Sequence, residues 1–189
     1  MFRKPSYLLI LAYVLLILAM FILPLFSMEG YSMIRHTVIQ LGAQQSPNAW
    51  AFNGILILLG LGSIWAGRGL MYGFFLQRIS LTIFGLALAL TGLFSTAPID
   101  PSLDINQQEA QLHFVFTNLS WIAFTVLAVS MVFMLESSKD KLLAWCMAGL
   151  SVLMSLGIYL IPELAGIFQR LLFIGSFGWL IYLFGFKEE

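Results

Sequence analysis

Apolar residues fall in six long blocks separated by short polar stretches: roughly 7–26, 49–67, 79–97, 111–135, 142–161 and 170–187. An α-helix rises about 1.5 Å per residue, so about 20 apolar residues cross the hydrocarbon layer of a bilayer. The pattern predicts an all-α polytopic membrane protein, a bundle of six transmembrane helices. Little chain remains for loops, so residues 1–189 read as one six-helix transmembrane domain. The first block follows Arg3 and Lys4 much as in a signal peptide. No small-x-small cleavage pattern follows it, which predicts an uncleaved first helix.

The polar positions between the blocks are sorted by sign. Arg3, Lys4, Arg68, Arg78, Lys139, Lys141 and Lys187 fall on one side of the implied membrane, and only Arg35 and Arg170 on the other. Short cytoplasmic loops collect Lys and Arg, so both ends are expected in the cytoplasm. The longest connection, Ser27 to Asn48, then lies outside. Within it Tyr31, Ile34, Val38 and Leu41 recur at helical spacing, with Ser32, Arg35, His36 and Gln40 on the other face. That predicts a short amphipathic helix at the interface, closed by Gly42 in a left-handed cap, with Ser46 capping the second span and Pro47 in its first turn. Pro98 and Pro101 make the second outer connection, with Asp100, Asp104 and Glu109, a turn. The third is short: Pro162, Glu163, then Arg170 at the head of the last span.

Composition narrows the class. The chain is 60% hydrophobic and 10% charged, with mean hydropathy +0.95, against roughly 25% charged residues in soluble domains. Zero net charge gives no electrostatic case for a nucleic-acid partner. The single cysteine, Cys146, excludes a disulfide framework and reads as a small buried hydrophobe. Asn53, Leu56, Gly60, Ser63 and Gly67 share a face of the second span, and Gly85 and Gly92 lie a heptad apart in the third. Both sets read as close helix packing, except Asn53, whose amide needs a partner on a neighbouring helix or a ligand. No internal repeat of the inverted-transporter kind stands out.

Candidate chemistry gathers on the outer side. Asn106, Glu109, His113, Thr117 and Ser120 follow at three- and four-residue steps, a polar stripe descending into the fourth span. Unsatisfied polar groups facing lipid are costly, so the stripe is expected to face the bundle interior or a pocket. There His113 is either a hydrogen-bonded core histidine or a ligand or proton-transfer group. Arg35, His36, Asn53, Asp100, His113 and Arg170 come from different segments yet map to one depth. Arg35, His36, Asn53, His113, Thr117 and Arg170 are the expected ligand-binding set, suited to an anionic group. Alternatively Arg35 and His36 touch lipid phosphate and Arg170 snorkels. His36 and His113 with Asp100 or Asp104 would form a metal site, but HxxxH or HExxH spacing is missing, so neither metal nor other cofactor is expected. Ser32 and Ser120 lie near histidines without a nucleophile elbow.

The run His36-Thr37-Val38-Ile39-Gln40-Leu41-Gly42-Ala43, then Pro47-Asn48-Ala49-Trp50-Ala51-Phe52-Asn53-Gly54, resembles a motif of a prokaryotic six-helix membrane family. That family is the domain of unknown function numbered 998. Gly92-Leu93-Phe94 with Asp100, His113, and Gly166-Ile167-Phe168-Gln169-Arg170 fit the same resemblance, which covers nearly the whole chain. Gln40 stands where the family commonly has Ser, and Ser95 where Pro is common. The pattern is more distantly similar to the eukaryotic Frag1/DRAM/Sfk1 membrane proteins, some linked to lipid-anchor remodelling. The resemblance implies six helices in an inner membrane and no established activity.

The expected function is binding of an anionic amphiphile or lipid headgroup in an outward-facing polar pocket, with membrane lipids as partners. The alternatives are an enzyme acting on lipid or a lipid-linked substrate, with catalytic candidates His36, His113 and Asp100, a small-solute transporter, or an accessory subunit. A near-neutral imidazole suits a general base.

Overall fold

The computed structural model describes residues 7–185; Arg3, Lys4 and Lys187, used above for topology, lie outside the described residues. Six α-helices long and apolar enough to cross a membrane follow in order, α1 Tyr7–Ile22, α2 Ala49–Gly67, α3 Phe75–Leu93, α4 Gln107–Met134, α5 Ser138–Leu160 and α6 Ala165–Gly185, with no strand among the described residues. The chain is a multi-pass membrane protein. Each helix packs on its neighbour in sequence, and α6 returns to touch α1 and α2. The interior is aromatic: Phe84, Trp121, Phe124, Phe173 and Phe177 are all buried, and Trp121 meets Phe173 edge-on at 5.2 Å between centroids.

The connections divide between two ends. Residues 23–48, 94–106 and 161–164 gather at a loop-rich end, and 68–74 with 135–137 at the opposite one. Helices α2 and α3 touch backbone to backbone. A Cβ at Gly60 would meet the Gly85 carbonyl, and one at Gly92 the Asn53 carbonyl. This is the close approach read from the small residues.

The structure corrects several local expectations. Residues 29–37 form turns and Val38–Gly42 a 3-10 helix, so the amphipathic segment is no α-helix, and Ile34 is exposed. Gly42 lies inside that 3-10 helix; the left-handed residues that follow it are Gln45 and Asn48. Gly42 serves another need, because a Cβ there would overlap the Asn53 side-chain oxygen. Asn48, not Ser46, precedes α2, with no side-chain cap bond. Cys146 is exposed on α5 rather than buried. Helices α3, α4, α5 and α6 each start about four or five residues before their apolar blocks; polar residues fill the first turns of α4 and α5, and Gln77 and Arg78 lie in that of α3.

Candidate functional site

Arg170 sits in the second turn of α6 and is buried. Its Nη1 donates to the carbonyls of Met33 at 2.6 Å, Gly166 at 2.9 Å and His36 at 3.4 Å. Its Nη2 donates to the Tyr31 hydroxyl at 3.1 Å and, longer, to the Met20 carbonyl at 3.5 Å. The last contact has a cause in the sequence. Pro24 lacks the N–H that would close the helical bond to Met20, so that carbonyl is left for the guanidinium. Gly166 makes the approach possible, since a Cβ there would strike the Met33, Ile34 and His36 carbonyls, and its own N–H donates to Ile34 at 2.8 Å. Gln169 accepts from the Ile39 N–H at 3.0 Å. The first turns of α6 thus latch residues 31–39 across the loop-rich end. Arg170 does not snorkel, and both amino groups of its fork are occupied by this chain.

The remaining expected residues separate. Arg35 and Asp100 are exposed, and Asp100 accepts from the Ser102 N–H and hydroxyl, which hold its carboxyl below the usual carboxylate range. His36 accepts from the Ser32 N–H at 2.8 Å; burial, then the Arg35 charge, holds it below the usual histidine range. Burial raises the Tyr31 phenol, and Arg170 pulls it partly back. Asn53 donates to the Gly42 carbonyl at 3.1 Å and the Ser95 hydroxyl at 3.3 Å.

The polar stripe on α4 does face inward, and it divides. Asn106 caps the helix by accepting from the Glu109 N–H, and Glu109 accepts from the Ser95 N–H at 2.8 Å. Ser120 donates to the Thr117 carbonyl. His113, only 2% exposed, places Nδ1 at 2.7 Å from the Phe94 carbonyl and 3.1 Å from that of Thr91. Both are acceptors at the end of α3, so Nδ1 carries the proton, and in the uncharged ring Nε2 presents a lone pair. Among the described residues that nitrogen has no hydrogen-bond partner, nor do the hydroxyls of Thr117 and Ser155.

All three groups line one cavity of about 480 Å³ between α4 and α5. Thr117, Trp121, Thr125 and Val126 of α4 form one wall and Ser151, Ser155 and Ile158 of α5 the other, with Thr37, Ile39, Thr96 and Gln169 at the loop-rich end. Along α4 it extends from His113 to Val126, about 20 Å at the helical rise. The fully buried face of α5 runs Asp140, Ala144, Ala148 and Ser151 and stops there, and beyond it Met154, Ser155, Gly157 and Ile158 are only half-buried. Lining residues Phe114, Ile122, Val152, Leu156 and Tyr159 are also exposed, so the cavity opens sideways between the helices. Arg35, His36, Asn53, Asp100 and Arg170 do not line it. The single convergent pocket read from the sequence is instead a latch, two exposed groups and a lateral groove holding only His113 and Thr117 of that set.

Sequence reasoning missed Ser151, Ser155 and Thr125. The signal was present: His113, Thr117, Trp121 and Thr125 recur every four residues, as do Ser151 and Ser155. Among the described residues no group of three or more His, Cys, Asp or Glu side chains is placed to hold a metal ion. No curated protein and no solved structure matches the chain. The latch residues Gly166, Gln169 and Arg170, with Gly42 and Asn53 beneath the same segment, lie within a match over residues 10–185 to the family described as Protein of unknown function (DUF998), and the chain belongs to that family.

Proposed function

We propose that this membrane protein binds a membrane amphiphile in the lateral groove between α4 and α5, its chain along the apolar walls and its head toward the loop-rich end. One observation carries the reading: three residues with a buried, unpartnered polar atom, His113 (Nε2), Thr117 (Oγ1) and Ser155 (Oγ), line one mostly apolar cavity that opens sideways. Buried polar atoms are rarely left without partners, and hydrocarbon has none to offer. An anionic head held by Arg35 and Arg170 gains no support, because Arg170 is engaged by carbonyls and Arg35 is exposed away from the groove. A second reading, a general base acting on a lipid substrate, is favoured by the same His113 lone pair, since the carbonyl bonds at Nδ1 fix the other nitrogen as the acceptor.

Lipid mass spectrometry tests the reading. The parent protein, purified in mild detergent, is expected to retain an amphiphile that Ser155→Phe, which fills the groove, releases. Identical lipid content in the two would refute it.

The loop-rich end is proposed to face outward from the inner (plasma) membrane, with both chain ends cytoplasmic. Of the six Lys and Arg among the described residues, Arg68, Arg78, Lys139 and Lys141 lie at the opposite end. Arg170 is buried against carbonyls, which leaves Arg35 alone as an exposed cation at the loop-rich end. A reporter inserted near Asn106 should read external and one after Glu189 internal.

A further inference from the structure

We propose that the head of the bound amphiphile is an uncharged hydroxyl, as in a long-chain alcohol or an acylglycerol, and that it donates to His113 Nε2. The inference rests on the groove reading above and adds the chemistry of the head. His113 lines the cavity and its Nδ1 is committed as a donor to two carbonyls, so its other ring nitrogen, Nε2, accepts. Its ligand must bring a hydrogen. A carboxylate or phosphate diester brings none and would set an anion against a lone pair. Among the described residues no Lys or Arg lines the cavity to offset that. No Asp or Glu lines it either, so an ammonium head would lack a counter-charge.

A hydroxyl fits because it donates once and accepts as well. Thr117 Oγ1, one turn deeper on α4, and Ser155 Oγ, on the facing helix, are both without protein partners and can donate to the oxygen of that same head. The three orphan groups together form one acceptor and two donors, the complement of an alcohol. A methyl ether of the same chain accepts but cannot donate, and it leaves Nε2 unsatisfied.

Four probes of equal chain length separate the possibilities: hexadecanol, 1-hexadecylglycerol, hexadecyl methyl ether and hexadecanoate. Each is titrated into the purified full-length protein in neutral-detergent micelles at pH 8. Both hydroxyl probes are expected to bind about tenfold or more tightly than the ether and the carboxylate, equivalent to about 1.4 kcal/mol. Preference between the two names the source, a simple alcohol or a glycerol-based lipid. Thr117→Val removes a hydroxyl that no protein group uses, so it should leave thermal stability unchanged and narrow the alcohol-to-ether gap. Equal binding of all four probes, abolished by Ser155→Phe, would keep the groove and overturn the hydroxyl head. Tighter binding of hexadecanoate would overturn it too. Failure of every probe to bind would overturn the groove reading and this inference together.

Discussion

Replacing Arg170 by Lys keeps the charge and discards the planar fork, and the structure says what that costs. Three of the five bonds are well formed, to the Met33 carbonyl at 2.6 Å, the Gly166 carbonyl at 2.9 Å and the Tyr31 hydroxyl at 3.1 Å. A single ammonium cannot span the opposite sides of that cage. It keeps the neighbouring Gly166 carbonyl, reaches Met33 at best, and abandons Tyr31 and the two longer contacts to His36 and Met20. Bonds from charged donors contribute about 1.5–3 kcal/mol each, so losing one good bond and two weak ones costs about 2–3 kcal/mol. For a chain of this size that lowers Tm by about 4–12 °C. Thermal unfolding in detergent measures it, and hydrogen exchange over residues 31–39 should rise in the same variant. Arg35→Lys is the control, an exposed residue whose exchange should stay within about 0.5 kcal/mol of the parent. If Arg170→Lys unfolds with the parent and its 31–39 segment stays protected, the guanidinium is not the latch.

Two further outcomes follow from the geometry. His36 is held below the usual histidine range by burial and by Arg35; the unfolded segment takes up a proton near pH 6.5 while the folded turn resists it. The turn is therefore most stable above that pH and loosens as pH falls toward the folded value. Ser32 amide exchange, corrected for its intrinsic pH dependence, should rise between about pH 7 and 5, and a flat profile would remove His36 as its partner. Gly60→Ala should cost about 1–3 kcal/mol because its Cβ meets the Gly85 carbonyl, whereas Gly54→Ala, with open space around it, should be neutral or gain up to about 1 kcal/mol; equal Tm values would refute the backbone contact between α2 and α3.

The six spans were legible because lipid demands uninterrupted apolar length, and the starts of α3, α4 and α5 were blurred by polar residues in their first turns. Gln77 is buried inside α3 and donates to the Ser130 carbonyl at 2.9 Å, yet in the sequence it reads as loop beside Arg78. The latch was half legible. Gly166, Gln169 and Arg170 stood out as a cluster, but their partners are backbone carbonyls, which every segment possesses and no side-chain pattern reveals. The groove was least legible. Most hydroxyls in apolar helices bond the carbonyl one turn back, as Ser63 does to Leu59 and Thr91 to Ala87. Thr117 and Ser155 look the same in sequence and differ only in lacking a partner, a fact that needs coordinates. Arg170 misled in the opposite way: a cation near a membrane surface suggests an anion, and here the chain itself supplies the negative ends of dipoles.

His113 ties the two themes together, and its substitution should separate them. The last carbonyls of a helix have no intrahelical donor. At the end of α3, ring Nδ1 of His113 supplies one to Thr91 and Phe94, while Glu109 one turn earlier accepts from Ser95. The α3–α4 connection is thus stitched at two points by one face of α4, and that stitching sets the tautomer that leaves Nε2 as the acceptor on a residue lining the groove. His113→Leu removes both functions, so it should destabilise the ligand-free protein by the value of one buried bond, about 1–3 kcal/mol, and abolish the preference for a hydroxyl probe over its ether. Thr117→Val should narrow the preference without the loss of stability, since no protein group depends on that hydroxyl. A His113→Leu protein as stable as the parent would mean the ring is not fastened to α3, and the assignment of Nε2 as an acceptor would fall with it.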